Sequence, residues 1–288
     1  MTLNDYLQSK YRPSSVRCYT RSIGLYLSAV SNANTANYEV IITYLQEQRK
    51  SQSASSVHNI LQGIKKYYNY LQFTNKRVDN PAINIHLKDY KSHSNILFSA
   101  VLNQEELAKI WTYFLTKNYR YPVLRNRNLS MLSLLLEQGL ELRELKQLKQ
   151  NDIDLTQGKI FIAPNATNNG RTLALAAHQI LLLHQYIEQD RPQLQINQAN
   201  NQALFLGLNR PLETISYLLR MPEKILAGKR LSAHLIRKSV LVKQFKLGKS
   251  LAEVQYFAGH KCPSSSERYQ IQDLAALQQS VLKHHPLG

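Results

Sequence analysis

Cysteine is scarce in this chain: Cys18 and Cys262 are the only two, and they lie far apart. A disulfide framework therefore has too few partners, and two buried thiols in a reducing compartment are the expectation. Acidic residues are also few, 19 Asp+Glu against 36 Lys+Arg, for a net charge of +17 and a pI near 9.8. Such an excess implies a polyanionic partner, nucleic acid ahead of an anionic membrane surface. No apolar run approaches the roughly 20 residues that span a bilayer. The opening MTLNDYLQSKYRP lacks the charged-then-apolar layout of a signal peptide, so a cytoplasmic protein is expected. Repeats and low-complexity tracts are missing as well. His178, His184, His284 and His285 have no spacing that frames a metal, and neither metal nor cofactor is expected. What is present is 43% hydrophobic residues in 288, enough for real cores and a length that suits two domains.

Residues 1 to about 90 read as a helical unit. Ser14 and Ser15 are placed to cap a helix through Val30, with Val16, Tyr19, Ile23, Tyr26, Leu27 and Val30 at helical spacing. Arg17 and Arg21 fall four apart on another face. A second stretch covers Tyr38 to Lys50. A third, from Ser53, aligns Val57, Ile60, Leu61, Ile64, Tyr68 and Leu71 in one stripe, with Lys65 and Lys66 off its centre. Asp79-Asn80-Pro81 closes the pattern. Residues 91–101 have no helical period and read as a linker. Beyond them, Asn103 to Glu106 matches a capping box, and Leu129 to Leu136 is an apolar helix ended by Gly139. Lys159 to Ala163 and Arg171 to Leu175 are short strands around a turn at Pro164 to Gly170. Helices resume at 178–189, at 212–219 and around Arg237. The expected fold is mainly α with a small β-sheet, in two domains, 1–90 and 102–288.

The densest chemistry lies between Ala233 and Tyr269. His234 and Arg237 are three residues apart, Gly259-His260 follows, and Tyr269 stands nine residues after His260. A guanidinium can grip a phosphodiester with two hydrogen bonds, imidazoles can donate or move protons, and a phenol can attack phosphorus. At these residues the chain resembles the tyrosine recombinase (phage integrase) family, whose catalytic block has the form His-x-x-Arg, Gly-His, Tyr. The resemblance implies a SAM-like helical core-binding domain followed by a mixed α/β catalytic domain. It implies a site-specific DNA recombinase that cleaves and rejoins DNA through a 3′-phosphotyrosine, with no metal. Tyr269 would be the nucleophile, Arg237 and His260 would hold the non-bridging oxygens, and His234 would assist proton traffic. Double-stranded DNA is the implied partner, with Arg17, Arg21, Lys65 and Lys66 as DNA-binding candidates; for these four the plain alternative is a solvated face. Self-association on DNA is implied too, a dimer per site and a tetramer at synapsis. An apolar helix over 274–288 would be exchanged between protomers.

Upstream, Gly139-Leu140-Glu141, then Glu144, Leu145, Leu148 and Asp152-Ile153-Asp154, follow the second box of that family with one exception. Glu141 stands where the first catalytic arginine belongs. Arg143 comes two residues later, and two helical steps turn a side chain by roughly 200°, so it is expected to point away. The turn Pro164 to Gly170 holds no lysine where the family carries one, and Lys238 replaces a common second histidine. The cations left to compensate are Arg143, Arg171 and Lys238. Two readings follow: a recombinase whose activity is attenuated, or a DNA-binding relative in an accessory or regulatory role. A plain helix-in-groove regulator leaves the Gly-His to Tyr spacing without a reason. A type IB topoisomerase fits the N-terminal unit less well.

Overall fold

The computed structural model describes residues 1–87, 101–196, 201–208, 212, 215–221, 223–226 and 228–270. It divides into two compact units, Met1–His93 and Ser94–Gly288. The segment 274–288 and residues 91–100 of the expected linker lie outside the described residues.

The first unit is built from α1 (Leu3–Lys10), α2 (Pro13–Ala29), α3 (Tyr38–Ser51) and α4 (Ala54–Phe73). Helix α1 has no strong sequence signal; Thr2 caps it reciprocally with Asp5. Helix α2 begins earlier than its serines suggest. Pro13 occupies its first turn, where a missing N–H costs nothing, and Ser14 and Ser15 lie inside the helix. Ser53 caps α4, as its sequence predicts. The stripe of α4 packs on α2 around a buried tyrosine pair, Tyr26 and Tyr68, whose hydroxyls are 2.7 Å apart. Tyr68 donates onward to the Ala33 carbonyl, so burial leaves neither phenol unsatisfied. Helix α4 stops at Phe73, ahead of Asp79-Asn80-Pro81, and Asn75 takes a left-handed φ of 54° just after it.

The second unit starts with α5 (Gln104–Thr116), capped by the Asn103–Glu106 box with both bonds at 2.8 Å. Val101 belongs to this unit and not to a linker: it is buried against Leu241, Val242 and Val254. Helix α6 (Arg125–Gln138) is buried all round, which explains why its sequence shows an apolar run without a polar face. It ends at Gly139, φ 60°. Then come α7 (Leu142–Gln147), β1 (Ile153–Asp154), β2 (Lys159–Ile162) and β3 (Arg171–Ala174), the strands forming an antiparallel sheet in the order β1-β2-β3. Ile160 faces Leu173 and Ile162 faces Arg171, so one face of the sheet closes onto the core. Helix α8 (Ala177–Gln185) widens into a π-turn at Tyr186–Asp190 and continues as α9 (Arg191–Gln195). Of the helix expected at 212–219, the described part is a 3₁₀ turn, Ser216–Leu219. The unit continues through α10 (Ala233–Lys246), α11 (Leu251–Ala258) and a one-turn α12 (Ser264–Glu267). Where the sequence suggests only a Ser/Pro-rich turn, α12 is helical. Among the described residues no helix is long and apolar enough to cross a membrane. Both cysteines are exposed, which corrects the expectation of buried thiols.

Candidate active site

Ser232 caps α10 and sets its rotation, so that Arg237 faces inward while His234 is exposed. Arg237 is 5% exposed. It donates to the Gly139 carbonyl at the end of α6 and to the Ala258 carbonyl at the end of α11, both at 2.7 Å. Each of those helices ends in a left-handed glycine, and the freed carbonyls converge on this one guanidinium. Gly259 cannot be replaced easily. Its φ is 73°, and a Cβ there would lie 2.5 Å from the Arg171 guanidinium and 3.0 Å from the Asn169 carbonyl.

Next to Gly259, His260 points Nε2 at Arg237 (3.4 Å) and Nδ1 at the Ser266 hydroxyl (2.8 Å). Arginine only donates, so Nε2 is the acceptor, Nδ1 carries the hydrogen, and Ser266 accepts it. Burial, together with the charges of Arg237 and Arg268, pushes the His260 imidazole down to about 4, so it is neutral at pH 7. The Tyr269 ring stacks on it, 6.1 Å between centroids and 16° between planes. Tyr269 is 6% exposed and packs against Val101, Leu241, Val242, Val254 and Ala258. The phenol is thus held inside the unit in this conformation.

The β2–β3 turn closes over this corner. Asn169 N–H donates to the Gly259 carbonyl at 2.7 Å, and Asn168 bridges to His260. Arg171, one of the cations expected to compensate, is not available. It is fully buried in a two-bond pair with Glu144, at 2.8 and 3.0 Å. The same Glu144 lies 3.8 Å from Arg237, and so supports both guanidiniums. Burial would raise its carboxyl, but the bonds and charge of Arg171 outweigh that and hold it below the usual carboxylate range.

Arg143 does not point away. Glu141 is the N-cap of α7, with extended backbone (φ −80°, ψ 151°), so the helical step of 100° per residue does not yet apply between 141 and 143. Arg143 Nε donates to Glu141 Oε2 at 2.7 Å, and the guanidinium also bonds the Thr167 hydroxyl of the turn. Glu141 Oε1 accepts from Asn168 at 3.1 Å and lies 3.7 Å from Arg237. Lys238 is half-buried, and that burial lowers its ammonium. A residue that sequence reasoning passed over is Lys261, directly after His260. Its ammonium donates to the Ala166 carbonyl at 3.3 Å, in the very turn that has no lysine of its own. Its only signal in the sequence is adjacency to His260.

In the first unit, Arg17 and Arg21 are exposed and line a groove of about 680 Å³ with Asn4, Gln8, Tyr11 and Thr20. Lys66 sits 5.2 Å over the Tyr11 ring beside that groove, while Lys65 is occupied by the Ile83 carbonyl at 2.9 Å.

The chain is similar to several known proteins. The tyrosine recombinase XerC of Oceanobacillus iheyensis is 25% identical, over 99% of this chain and 95% of its own length. The tyrosine recombinase XerD of Staphylococcus epidermidis is 26% identical over 82% and 78%. In fold, the chain is similar to the XerH site-specific recombinase bound to difH substrate, with TM-score 0.70 and 21% identity over 91% of this chain and 78% of that one. It is similar also to the Tn1549 transposon integrase in complex with transposon right end DNA, with TM-score 0.69 and 13% identity over 99% of each. The phage integrase family profile matches residues 100–274, most of the chain, and this protein belongs to that family, the tyrosine recombinases.

Proposed function

We propose that the chain is a site-specific DNA recombinase that cuts and rejoins duplex DNA through a 3′-phosphotyrosine on Tyr269, without a metal. The observation that carries this reading is the convergence of Arg237, His260 and Tyr269 in one corner of the second unit. In-line attack on a phosphodiester gathers negative charge on the non-bridging oxygens, and a buried, pre-aimed guanidinium stabilises that charge with little reorganisation. Arg237 is held by two carbonyls and a shared carboxylate, so it is pre-aimed. His260 Nε2 faces the same oxygens. In this reading an arriving phosphodiester anion favours the imidazolium, so Nε2 takes up a proton from water, gives up its contact with Arg237 and becomes a donor. His234, exposed at the start of α10, is left to hydrogen-bond the phosphate from the solvent side. The first unit binds the core of the site through Arg17 and Arg21, and protomers pair on DNA as dimers that meet in a tetramer. A DNA-binding relative that has stopped cutting is the second reading. It rests on one observation, the Glu141 carboxylate beside Arg237. The deciding experiment is covalent trapping on a nicked suicide duplex carrying a site recovered by affinity selection: an adduct establishes cleavage, and none with an intact, bound protein establishes the second reading.

The departing 5′-oxygen needs a proton, and we assign Lys261 as its source. It touches the β2–β3 turn, and an ammonium is far easier to deprotonate than the guanidinium of Arg143. Lys261→Ala is expected to slow adduct formation by about 10²–10⁴. The same variant should regain most of the rate on a duplex with sulfur in place of the bridging 5′-oxygen, because a thiolate leaves unprotonated. An equal defect on both duplexes removes Lys261 from this role.

Binding itself should be steeply salt-dependent. The charge excess is shared, 11 Lys+Arg against 5 Asp+Glu in residues 1–90 and 25 against 14 beyond. Counterion release then makes affinity for duplex DNA fall by about 10³ or more between 50 and 200 mM salt if six or more phosphates are contacted. A titration by fluorescence anisotropy that stays flat over that range rules out binding by both units.

A further inference from the structure

We propose that Arg143 is a second phosphate-binding residue of this site, and that the Glu141 carboxylate is a resident anion that occupies the phosphate's place until DNA arrives. The proposal deepens the recombinase reading, on which its cleavage arm rests. Glu141 bridges two guanidiniums: Oε2 takes the Arg143 Nε–H at 2.7 Å, and Oε1 lies 3.7 Å from Arg237 while accepting from Asn168 at 3.1 Å. A carboxylate and the two non-bridging oxygens of a phosphodiester present the same fork of acceptors to an arginine. Groups gathered around the one are therefore spaced to hold the other.

Exposure is divided in the way such an exchange requires. The groups that must stay, Arg237 and Glu144, have side chains only 6% and 1% exposed. The groups that must move, Glu141 and Arg143, have side chains 29% and 45% exposed. An ion pair this exposed is weak and readily broken. When the phosphate enters, Glu141 is repelled and rotates to solvent. Arg143 keeps its bond to the Thr167 hydroxyl and transfers its Nε–H from carboxylate to phosphate. No bond is made or broken covalently, and the charge in the seat stays at one negative. The cost of the exchange is occupancy: phosphate must compete with a carboxylate that is always present, so apparent affinity falls by the fraction of time the seat is open.

Two measurements on the full chain test this. In the first, inorganic phosphate is titrated while the arginine Nε–H signals are followed by NMR. Glu141→Ala is expected to bind phosphate about 10-fold more tightly than the wild type, because the seat is then always open. Glu141→Gln should gain less, because its amide removes the charge but still fills the seat. Adding Arg143→Ala to Glu141→Ala should return the affinity to the weak value. The proposal is overturned if neither Glu141 variant binds more tightly, or if the double variant binds as tightly as Glu141→Ala. In the second, adduct formation on the suicide duplex should slow by about 10²–10³ in Arg143→Ala, as for loss of one oxyanion donor. An Arg143→Ala protein that reacts at the wild-type rate also overturns it. If the wild type itself forms no adduct, the recombinase reading fails, and the phosphate titration alone decides the seat.

Discussion

Tyr269→Phe is expected to abolish the covalent adduct altogether while leaving affinity for duplex DNA within about twofold of the wild type, a change of under 0.5 kcal/mol. The adduct disappears because the substitution removes the one atom that attacks phosphorus. Affinity survives because the ring, not the hydroxyl, carries the contacts: it stacks on His260 and fills an apolar corner with Val101, Leu241, Val242, Val254 and Ala258. Phenylalanine fills that corner equally well. The same burial has a corollary. Tyr269 is 6% exposed, so on this reading its ring shifts within the corner as the hydroxyl meets the phosphate. Denaturing gels read the adduct, and anisotropy reads the affinity. An adduct that persists in Tyr269→Phe assigns the nucleophile to another residue; a large loss of affinity means that the hydroxyl binds DNA directly.

The second large effect is on stability. Glu144→Gln keeps the size of the side chain and removes its charge, stranding Arg171, whose side chain is 0% exposed, and weakening the support of Arg237. Breaking a buried ion pair from one side costs about 3–5 kcal/mol, because the remaining charge stays desolvated. The melting temperature should fall by on the order of 10 °C. Acid should narrow the gap. The folded Glu144 carboxyl is held below its unfolded value, so its contribution is complete above the ordinary carboxylate range near 4.3 and is lost as pH falls through the lower folded value. Thermal melts of both proteins at pH 7 and at progressively lower pH measure this. A variant that melts within a degree or two of the wild type at pH 7 would mean that water or another acceptor satisfies Arg171. Its Nε, which has no partner among the described residues, is where such an acceptor would show.

Much of the fold was legible in the sequence because the signals are local. A cap and its partner are three residues apart, as in Asn103–Glu106 and Ser53–Ser56, and an apolar stripe such as that of α4 repeats within a single helix. Turn glycines are local too: Gly139 and Gly259 end helices because only a residue without a Cβ takes those angles comfortably. The family block was readable for the same reason, since its residue types and spacings are linear. The first turn of α2 was misplaced because Pro13 competes with the serines for the same start, and α1 was missed because its cap is short and its stripe weak.

The sequence by itself therefore determined the helical architecture, the small hairpin, the basic surface and the family. Which cations remain usable was decided only by the tertiary structure. Arg171 and Arg143 look alike in the sequence, yet Arg171 is spent on Glu144, 27 residues away along the chain, and Arg143 faces the site because its neighbour is an extended cap. Lys261 is unremarkable until the β2–β3 turn, 95 residues earlier, folds under its ammonium. A charge acts through distance and dielectric, and both are properties of the packed chain: burial ties one guanidinium to a carboxylate, while partial exposure leaves another able to exchange it.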